Sequence, residues 1–496
     1  MFRADGDALL NYDFKLIDEA YNSKEKIVFE SAHADMVFMD KVDISLSRIL
    51  QLKHFQHLRS PLSFVIRELI GNAQKSNLKR VYFRLNGLSI TNPAEYERGM
   101  KEFTEVVRDD PSYIESRLSD LKMSIKVSFD EYAGKDFILS IENSAQITPG
   151  ERDRILAKLR LYAENKNNMD IFDKTEGAGM GIFLCLKMLE KVGIKPSAIH
   201  IKVNKGFTIS QLSFCYAEVS PPPYSPVANE ILKELKELPR YPQNIKNLLT
   251  KLHDPDVSIQ LISDELRKDP TLSAEILKVV NSAQYMIQRK IGSIKEALNM
   301  IGIKGLRNLL FSYGAMKTVS DRFGTVPEIW AHCYKTANIA AKISKRVLKL
   351  KNDDDYFTAG LLHDIGKIVL MGFDTITAQK IESICHAKGV DMPIMEEIMM
   401  GLSHAQIGGK IAQLWGFPES LVNAISYHHE PMMTTGDFEL VNSVFLANYL
   451  AQISSKEEIS VLSIEPEVRA FFKLKTNEQL FHLAELLEVF STVQQN

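Results

Sequence analysis

The sequence is poor in cysteine, and its four cysteines form no C-x-x-C pair: Cys185, Cys215, Cys333 and Cys385. This scarcity argues against a disulfide framework and against a structural zinc knot. A reducing compartment suits such a chain best, so we expect a cytoplasmic protein.

Long apolar runs and an excess of one charge are missing as well. No run approaches the roughly 18 apolar residues that cross a bilayer, and the opening MFRADGDALLNYDF has no basic stretch followed by an apolar core. We therefore expect neither export nor a membrane anchor. The 60 basic and 63 acidic side chains leave a net charge of −3, which gives no general indication of a nucleic-acid or membrane partner.

The chain has more residues than one core usually organises. Its 496 residues allow roughly three domains at about 150 residues each, and 45% apolar with 25% charged residues is typical of a soluble folded protein. The proline-rich segment SPPPYSPV at 220–227 is the clearest break. We predict a first domain over 1–219, a second over 228–455 and a helical extension over 456–496.

The first half is predicted to mix helices and strands. Apolar residues alternate at 125–129 and 137–141, and again at 199–203 and 207–209, as in two β-hairpins. Helical spacing appears at 60–77 and 181–193, and 93–122 is interpreted as a charged helical insertion.

The second half is predicted to be all-helical. Asp269-Pro270 is typical of a helix start, and Ser293 with Glu296 forms a capping-box pattern in a short helix that Gly302 ends.

Two polar patterns in the first half are suited to a nucleotide. Glu68 and Asn72 lie four residues apart, hence on one helix face, where the Asn oxygen can hold Mg²⁺ and the Glu can act as a base toward water. The alternative is an ordinary solvated face. Further on, Gly177, Gly179 and Gly181 alternate into a helix, as in loops that bring backbone amides to a phosphate. A tight turn that only permits close packing is the competing interpretation.

These motifs, in this order and separated by the strand that ends at Asn143, resemble the GHKL ATPase family over roughly residues 40–218. The resemblance implies an N-terminal α/β sandwich that binds ATP and Mg²⁺ through Asn72, Gly177, Gly179 and Gly181, with Glu68 as a catalytic base. The chain departs from the family where D-x-G-x-G is expected, because Asn143 and Ala145 stand at its first Asp and Gly. An Asn oxygen can still accept a hydrogen bond from the adenine amino group, but it carries no negative charge to strengthen that bond. ATP binding is predicted, whereas turnover stays open. His54 and His57 do not form a convincing phosphoacceptor helix.

The second half contains residues of the types that bind metal ions: His332, His363, Asp364, His404, His428 and His429. Adjacent His and Asp can give an imidazole nitrogen and a bridging carboxylate to two metal ions, and such a pair activates water toward phosphorus. Each histidine alone is more typical of an ordinary core or surface position. Together they predict a site for iron or manganese.

The order H, HD, H, HH resembles the HD-superfamily phosphohydrolases, and residues 236–450 resemble the HDOD family more specifically. The matching segments are Leu238–Pro242, Asp254–Asp256, Lys268–Leu272, Val280–Ala283, Ile291–Ile294, Leu306–Asn308, Gly360–Asp364, Trp415–Pro418 and His428–Pro431. Membership implies a helical, regulatory module that has lost catalysis. Asn448 stands where the superfamily has its last acidic ligand, so a one-metal or metal-free site is as compatible with the sequence as a hydrolase. Lys367 is either a phosphate-neutralising residue or a surface lysine.

The leading hypothesis is a signalling protein in which an ATP-binding domain controls an HDOD output module that binds a protein partner or a nucleotide. The alternatives are an ATP-regulated phosphohydrolase of phosphoesters or cyclic nucleotides and an anti-sigma-type protein kinase. Residues 1–40 are either a dimerisation element, giving a homodimer, or an extra layer on the sheet.

Overall fold

The computed structural model describes residues 2–3, 14–109, 112–132, 136–164, 180–204, 206–220, 223–238, 242–252, 254, 257–281, 290–324, 326–350, 354–388, 390–434, 436–453 and 459–490. The chain divides into two compact units, Met1–Pro223 and Tyr224–Asn496. The division falls inside the predicted linker, but the linker is shorter than predicted. Pro226 already begins a helix capped by Ser225, because the fixed φ of proline suits the first helical turn.

The first unit contains a six-stranded sheet, in the order β1-β2-β3-β4-β6-β5. Its strands are β1 Phe2–Arg3, β2 Ile27–Ser31, β3 Ile125–Tyr132, β4 Asp136–Asn143, β5 Ile199–Asn204 and β6 Phe207–Cys215. The β1–β2 pair is parallel and the other four pairs are antiparallel. The two predicted hairpins are thus present as β3–β4 and β5–β6. Residues 133–135 and 205, between the strands of the two hairpins, lie outside the described residues.

The helices of this unit pack against the sheet or against one another. They are α1 Phe14–Asn22, α2 Met36–Leu52, α3 Arg59–Leu85, α4 Pro93–Asp109, α5 Ser112–Glu115, α6 Pro149–Glu164 and α7 Met180–Lys191, with short 3₁₀ turns at Gln56–Leu58, Pro196–Ala198 and Tyr216–Glu218. Alternate residues of β4, including Leu139 and Ile141, are buried against α2, α3 and α7. Helices α4 and α5 form a second small core on α3 through Phe83, Phe103 and Leu118.

The described residues of the second unit are all in helices, turns or irregular segments. The helices are α8 Pro226–Lys236, α9 Gln243–Lys251, α10 Ile259–Leu266, α11 Pro270–Val280, α12 Ile294–Phe323, α13 Pro327–Lys342, α14 Asp354–Leu362, α15 Ile365–Phe373, α16 Thr375–Lys388, α17 Met392–Met400, α18 His404–Leu414, α19 Glu419–Tyr427, α20 Phe438–Gln452, α21 Pro466–Phe472 and α22 Asn477–Leu486. A π turn at Ile343–Val347 and 3₁₀ turns at Pro431–Met433 and Val461–Ser463 complete it. Within the part of the chain that the structure describes, no helix combines the length and apolar character needed to cross a bilayer.

The predicted helix starts of this unit are present. Asp269 accepts a hydrogen bond from the amide of Leu272, and Ser293 accepts one from the amide of Glu296. Gly302, with φ of 69°, breaks the helical path inside α12, as a residue that tolerates positive φ allows.

Two glycines let the helices around the histidines approach closely. A Cβ at Gly360 would lie 2.7 Å from the Cα of Ala337, which brings α14 against α13. A Cβ at Gly366 would lie 2.0 Å from the carbonyl oxygen of His404, which brings α15 against α18. Backbone contact of this kind places the loop between α14 and α15 next to the start of α18.

Candidate metal centre and candidate nucleotide site

The second unit brings together all six residues that the sequence predicts as metal ligands. His332 lies on α13, His363 and Asp364 connect α14 to α15, His404 begins α18, and His428 and His429 follow α19. The side chains of His363, Asp364, His404 and His428 are buried, whereas His332 and His429 are half-buried.

Asp364 is the centre of this cluster, and its two carboxylate oxygens face different histidines. Oδ1 lies 3.2 Å from Nε2 of His404 and 3.5 Å from Nε2 of His428. Oδ2 lies 3.3 Å from Nε2 of His363 and 3.6 Å from Nε2 of His332. One carboxylate therefore divides the cluster into an Oδ1 side and an Oδ2 side.

Three imidazoles are fixed in the tautomer that a metal ion requires. Nδ1 of His363 lies 2.7 Å from the carbonyl oxygen of Gly360, and Nδ1 of His428 lies 2.8 Å from that of Ile425. Nδ1 of His404 lies 2.6 Å from Oε2 of Glu396. Because these oxygens only accept, each Nδ1 carries the proton and each Nε2 turns a lone pair toward Asp364.

On the Oδ1 side, these lone pairs meet at short range. Nε2 of His404 lies 3.2 Å from Nε2 of His428 and 3.0 Å from Nε2 of His429. A single proton on His404 could be donated to only one of its three neighbouring acceptors, whereas a cation would attract them all. Nε2 of His363 and Oδ1 of Asp364 also make no hydrogen bond although both are buried. The residues therefore fit a divalent metal ion with imidazole and carboxylate ligands.

The electrostatics of the cluster suit the same ion. Burial alone would raise the pKa of Asp364, but His363 and Lys367 outweigh it and hold that pKa well below its usual range. Burial lowers the pKa of His428 to about 3 and that of His332 to about 4. Burial also acts to lower the pKa of His404, but Glu396 outweighs it and holds the value above the ordinary one. The carboxylate is thus ionised and most imidazoles are neutral, as metal ligands must be.

Glu396 belongs to the site although it was not predicted. Besides the Nδ1 contact, its Oε2 lies 2.8 Å from the backbone nitrogen of His404, so one carboxylate oxygen holds both the ring and the chain at this residue. The signal in the sequence is a glutamate inside the apolar segment MPIMEEIMM, which forms α17. The structure shows that this glutamate is buried. Such residues orient metal-binding imidazoles in many proteins.

The candidate nucleotide residues lie in the first unit, on α3 and α7. Asn72 donates a hydrogen bond to Glu68 at 3.2 Å, and a Cβ at Gly181 would lie 1.9 Å from Oε1 of Glu68. A larger residue at 181 would require the Glu68 side chain to move, and the structure places that side chain beside the start of α7. The other predicted phosphate-loop residues, Gly177 and Gly179, lie outside the described residues. His54 and His57 lie between α2 and α3, outside both helices.

Asn143 is the last residue of β4, and its side chain is bonded to the loop that follows. Its side-chain nitrogen donates to the carbonyl oxygen of Ala145 at 3.2 Å and to Oδ1 of Asn77 at 3.3 Å. Oδ1 of Asn77 also accepts from the amide of Ala145, so both oxygens that face Asn143 are fixed as acceptors. An amide is therefore required at this position for the loop, whatever its role toward a nucleotide.

Substitution Asn143→Asp should consequently destabilise the first unit, although aspartate is the residue that the family resemblance would favour. A carboxylate would face two acceptor oxygens in a buried position, and each unsatisfied group of this kind costs about 1–3 kcal/mol. Urea denaturation of the two proteins should show it. Asn143→Ala is the control: it removes the donor without adding charge, and we expect it to be the more stable variant. An aspartate variant as stable as the natural chain would contradict this account of the loop.

Comparison with known proteins assigns the C-terminal part of the chain. Residues 238–431 match the HDOD domain family. All six predicted metal ligands lie inside the matched stretch, and Asn448 lies beyond it. The second unit therefore contains an HDOD domain, as the sequence indicated. The match gives no assignment for the first unit.

Individual relatives extend the comparison. An uncharacterised protein from Treponema pallidum (strain Nichols) is 27% identical over 446 residues, 89% of this chain and 86% of that protein. An HDOD domain protein of unknown function from Geobacter sulfurreducens is 24% identical, with 54% of this chain and 96% of that chain covered and a TM-score of 0.45. A candidate phosphohydrolase from Shewanella amazonensis SB2B is 27% identical, with 52% and 97% covered and a TM-score of 0.41.

Proposed function

We propose that this chain is a signalling protein whose HDOD domain binds a divalent metal ion and acts as a regulatory output, under the control of an ATP-binding N-terminal unit. The observation that carries the proposal is the convergence of the Nε2 atoms of His404 and His428 on Oδ1 of Asp364, with Nε2 of His429 3.0 Å from that of His404. A partner protein or a nucleotide bound at the HDOD domain would receive the signal.

A metal ion bound here would supply positive charge to anionic ligands and lower the pKa of a bound water. The protein's own residues would fix the site. Gly360, Ile425 and Glu396 hold three buried imidazoles by their Nδ1 protons. These intact ligands also favour a second candidate function, a metal-dependent phosphohydrolase. Release of phosphate from phosphoesters or cyclic nucleotides by the metal-loaded protein, lost in His428→Ala, would distinguish it from a purely regulatory domain.

Removal of metal is expected to lower the thermal stability of the second unit. Loading at about 100 times the dissociation constant stabilises a protein by about 2.7 kcal/mol, which is worth about 5–10 °C for a domain of this size. Calorimetry of chelator-treated protein, with and without added Mn²⁺ or Fe²⁺, measures the difference. Ca²⁺ is the control, since it prefers oxygen ligands and should give little shift. Equal melting temperatures with and without transition metal would contradict metal binding.

For the first unit we propose that ATP and Mg²⁺ bind beside Glu68 and Asn72, with the adenine ring of ATP near Asn143. A cavity of about 650 Å³ is lined by Leu69, Ile147 and Ile182, among others. Leu69 and Ile182 are sequence neighbours of Glu68 and Gly181, and Ile147 follows Asn143 closely. A cavity of this volume is typical of small-molecule sites, and its apolar lining suits a purine ring.

ATP with Mg²⁺ should therefore stabilise the first unit, and Asn72→Ala should remove most of that effect. Saturation at about 100 times the dissociation constant corresponds to about 2.7 kcal/mol. Differential scanning fluorimetry at increasing ATP concentration measures the shift. Lys75→Ala, an exposed position on the same helix, is the matched control and should respond like the natural chain. No ATP-dependent shift at millimolar ATP would contradict the proposal for this unit.

A further inference from the structure

Asp364 is shared by two groups of possible metal ligands. One consists of Asp364, His404, His428 and His429, and the other of His332, His363 and Asp364. Taken by residue type alone, the cluster would hold two metal ions, one on each carboxylate oxygen. The contacts of the two sides are different, however.

On the Oδ2 side, a cation of the protein is already present. Nζ of Lys367 lies 2.7 Å from Oδ2 of Asp364, and the two residues are three positions apart at the start of α15. Asp364 is buried and Lys367 is half-buried, so their attraction is only weakly screened by water. A divalent ion bound to the same oxygen would lie within a few ångströms of the ammonium and would be repelled.

Of the two histidines on this side, His363 has an Nε2 atom without a hydrogen bond, 3.3 Å from Oδ2, whereas His332 is engaged. Nε2 of His332 lies 2.9 Å from Oδ1 of Asn448, and Nε2 of Gln452 donates to the same oxygen at 3.1 Å. The oxygen of Asn448 is an acceptor, so the proton of His332 sits on Nε2, the nitrogen that faces Asp364. If the side-chain amide of Asn448 were turned by about 180°, Nε2 of His332 would instead accept a hydrogen bond from the nitrogen of Asn448. In both orientations its lone pair is not available to a metal ion.

The Oδ1 side has the opposite character. Oδ1 of Asp364 makes no hydrogen bond, and the Nε2 atoms of His404 and His428 lie 3.2 and 3.5 Å from it and 3.2 Å from each other. The ammonium of Lys367 contacts the other carboxylate oxygen, Oδ2.

We propose that the centre holds a single metal ion on the Oδ1 side of Asp364, and that Lys367 together with the His332–Asn448 hydrogen bond takes the place of a second ion on the Oδ2 side. The inference rests on the proposed function, since it concerns how the same centre is loaded. It makes His332 and His363, which both face Oδ2, residues of the site that do not ligate the metal.

Metal counting in variants of the full chain tests this assignment. Protein reconstituted with Mn²⁺ and freed of excess by dialysis should contain one ion per chain, unchanged in His332→Ala and lost in His428→Ala. Two ions in the natural chain, with one lost in His332→Ala, would overturn the inference and leave the metal centre intact. No ion in the natural chain would overturn the proposed function itself.

A gain of metal tests the role of the two replacing groups. The double variant Lys367→Met, Asn448→Asp removes the ammonium and adds a carboxylate next to His332, so we expect two Mn²⁺ per chain and the electron paramagnetic resonance signal of a coupled pair. Addition of His332→Ala should return the count to one. A circular dichroism melt shows whether the double variant is folded. A folded double variant that still binds one ion would overturn the role given to Lys367 and Asn448.

Discussion

Replacement of Asp364 by asparagine is expected to abolish metal binding and to destabilise the second unit by about 3–5 kcal/mol, the usual cost of breaking a buried ion pair. The change keeps the shape of the side chain but removes the negative charge that would hold a cation beside the Nε2 atoms of His404 and His428. It also leaves Lys367 without its carboxylate. Urea denaturation and metal analysis of the purified variant measure the two effects.

Two further variants separate the causes of this destabilisation. Asp321→Asn, at an exposed position of α12, should have little effect on either quantity. The double variant Asp364→Asn, Lys367→Met removes both partners of the ion pair, so it should regain part of the stability while remaining metal-free. A single Asp364→Asn variant with unchanged stability and metal content would contradict the central role of this carboxylate.

Substitution Gly366→Ala is expected to separate the two halves of the metal centre. The new Cβ would lie 2.0 Å from the carbonyl oxygen of His404 and 2.9 Å from the backbone nitrogen of Gly408. These are backbone atoms, so helix α15 or α18 must move, and Asp364 is carried away from His404. We expect a loss of about 1–3 kcal/mol from overpacking and metal binding weakened by about 10–100-fold.

The control for this substitution is Gly292→Ala, because Gly292 is exposed and a Cβ there meets no atom within 4 Å. Isothermal titration with Mn²⁺ and thermal denaturation of both variants give the comparison. An alanine at 366 that leaves metal affinity unchanged would show that the backbone contact between α15 and α18 does not position the site.

The clustering of the six candidate metal ligands could be predicted from sequence because five histidines and an aspartate in this order are harder to explain as ordinary core or surface residues than any one of them alone. The capping patterns at Asp269 and Ser293 were also sufficient to place helix starts, since they depend only on neighbouring residues. In contrast, the role of Glu396 depends on α17 packing beside the start of α18, and no local pattern encodes that contact.

The division of the cluster into two sides could not be predicted for a similar reason. Lys367 was open to interpretation as a surface lysine, and its contact with Oδ2 of Asp364 depends on the geometry of one helix start. Asn448 was noted as a neutral residue where an acidic one was expected, but its bond to His332 joins α13 to α20 across more than a hundred residues of sequence.

The first unit shows the limits of motif order more strongly. The strands of the two hairpins and α3 follow the predicted arrangement. Asn143, interpreted as a weakened adenine contact, has a structural partner in Asn77 that no spacing rule indicates. The hydrogen bonds of the loop give Asn143 a structural role, and ATP binding stays a prediction for experiment.

The most direct test of the metal centre is X-ray absorption spectroscopy of the full chain loaded with one equivalent of Mn²⁺ or Fe²⁺. We predict a first shell of nitrogen and oxygen ligands with the multiple-scattering pattern of several imidazoles, reduced in His428→Ala and unchanged in His332→Ala. A shell of water oxygens without imidazole scattering, or no retained metal, would contradict a centre built on Asp364, His404 and His428.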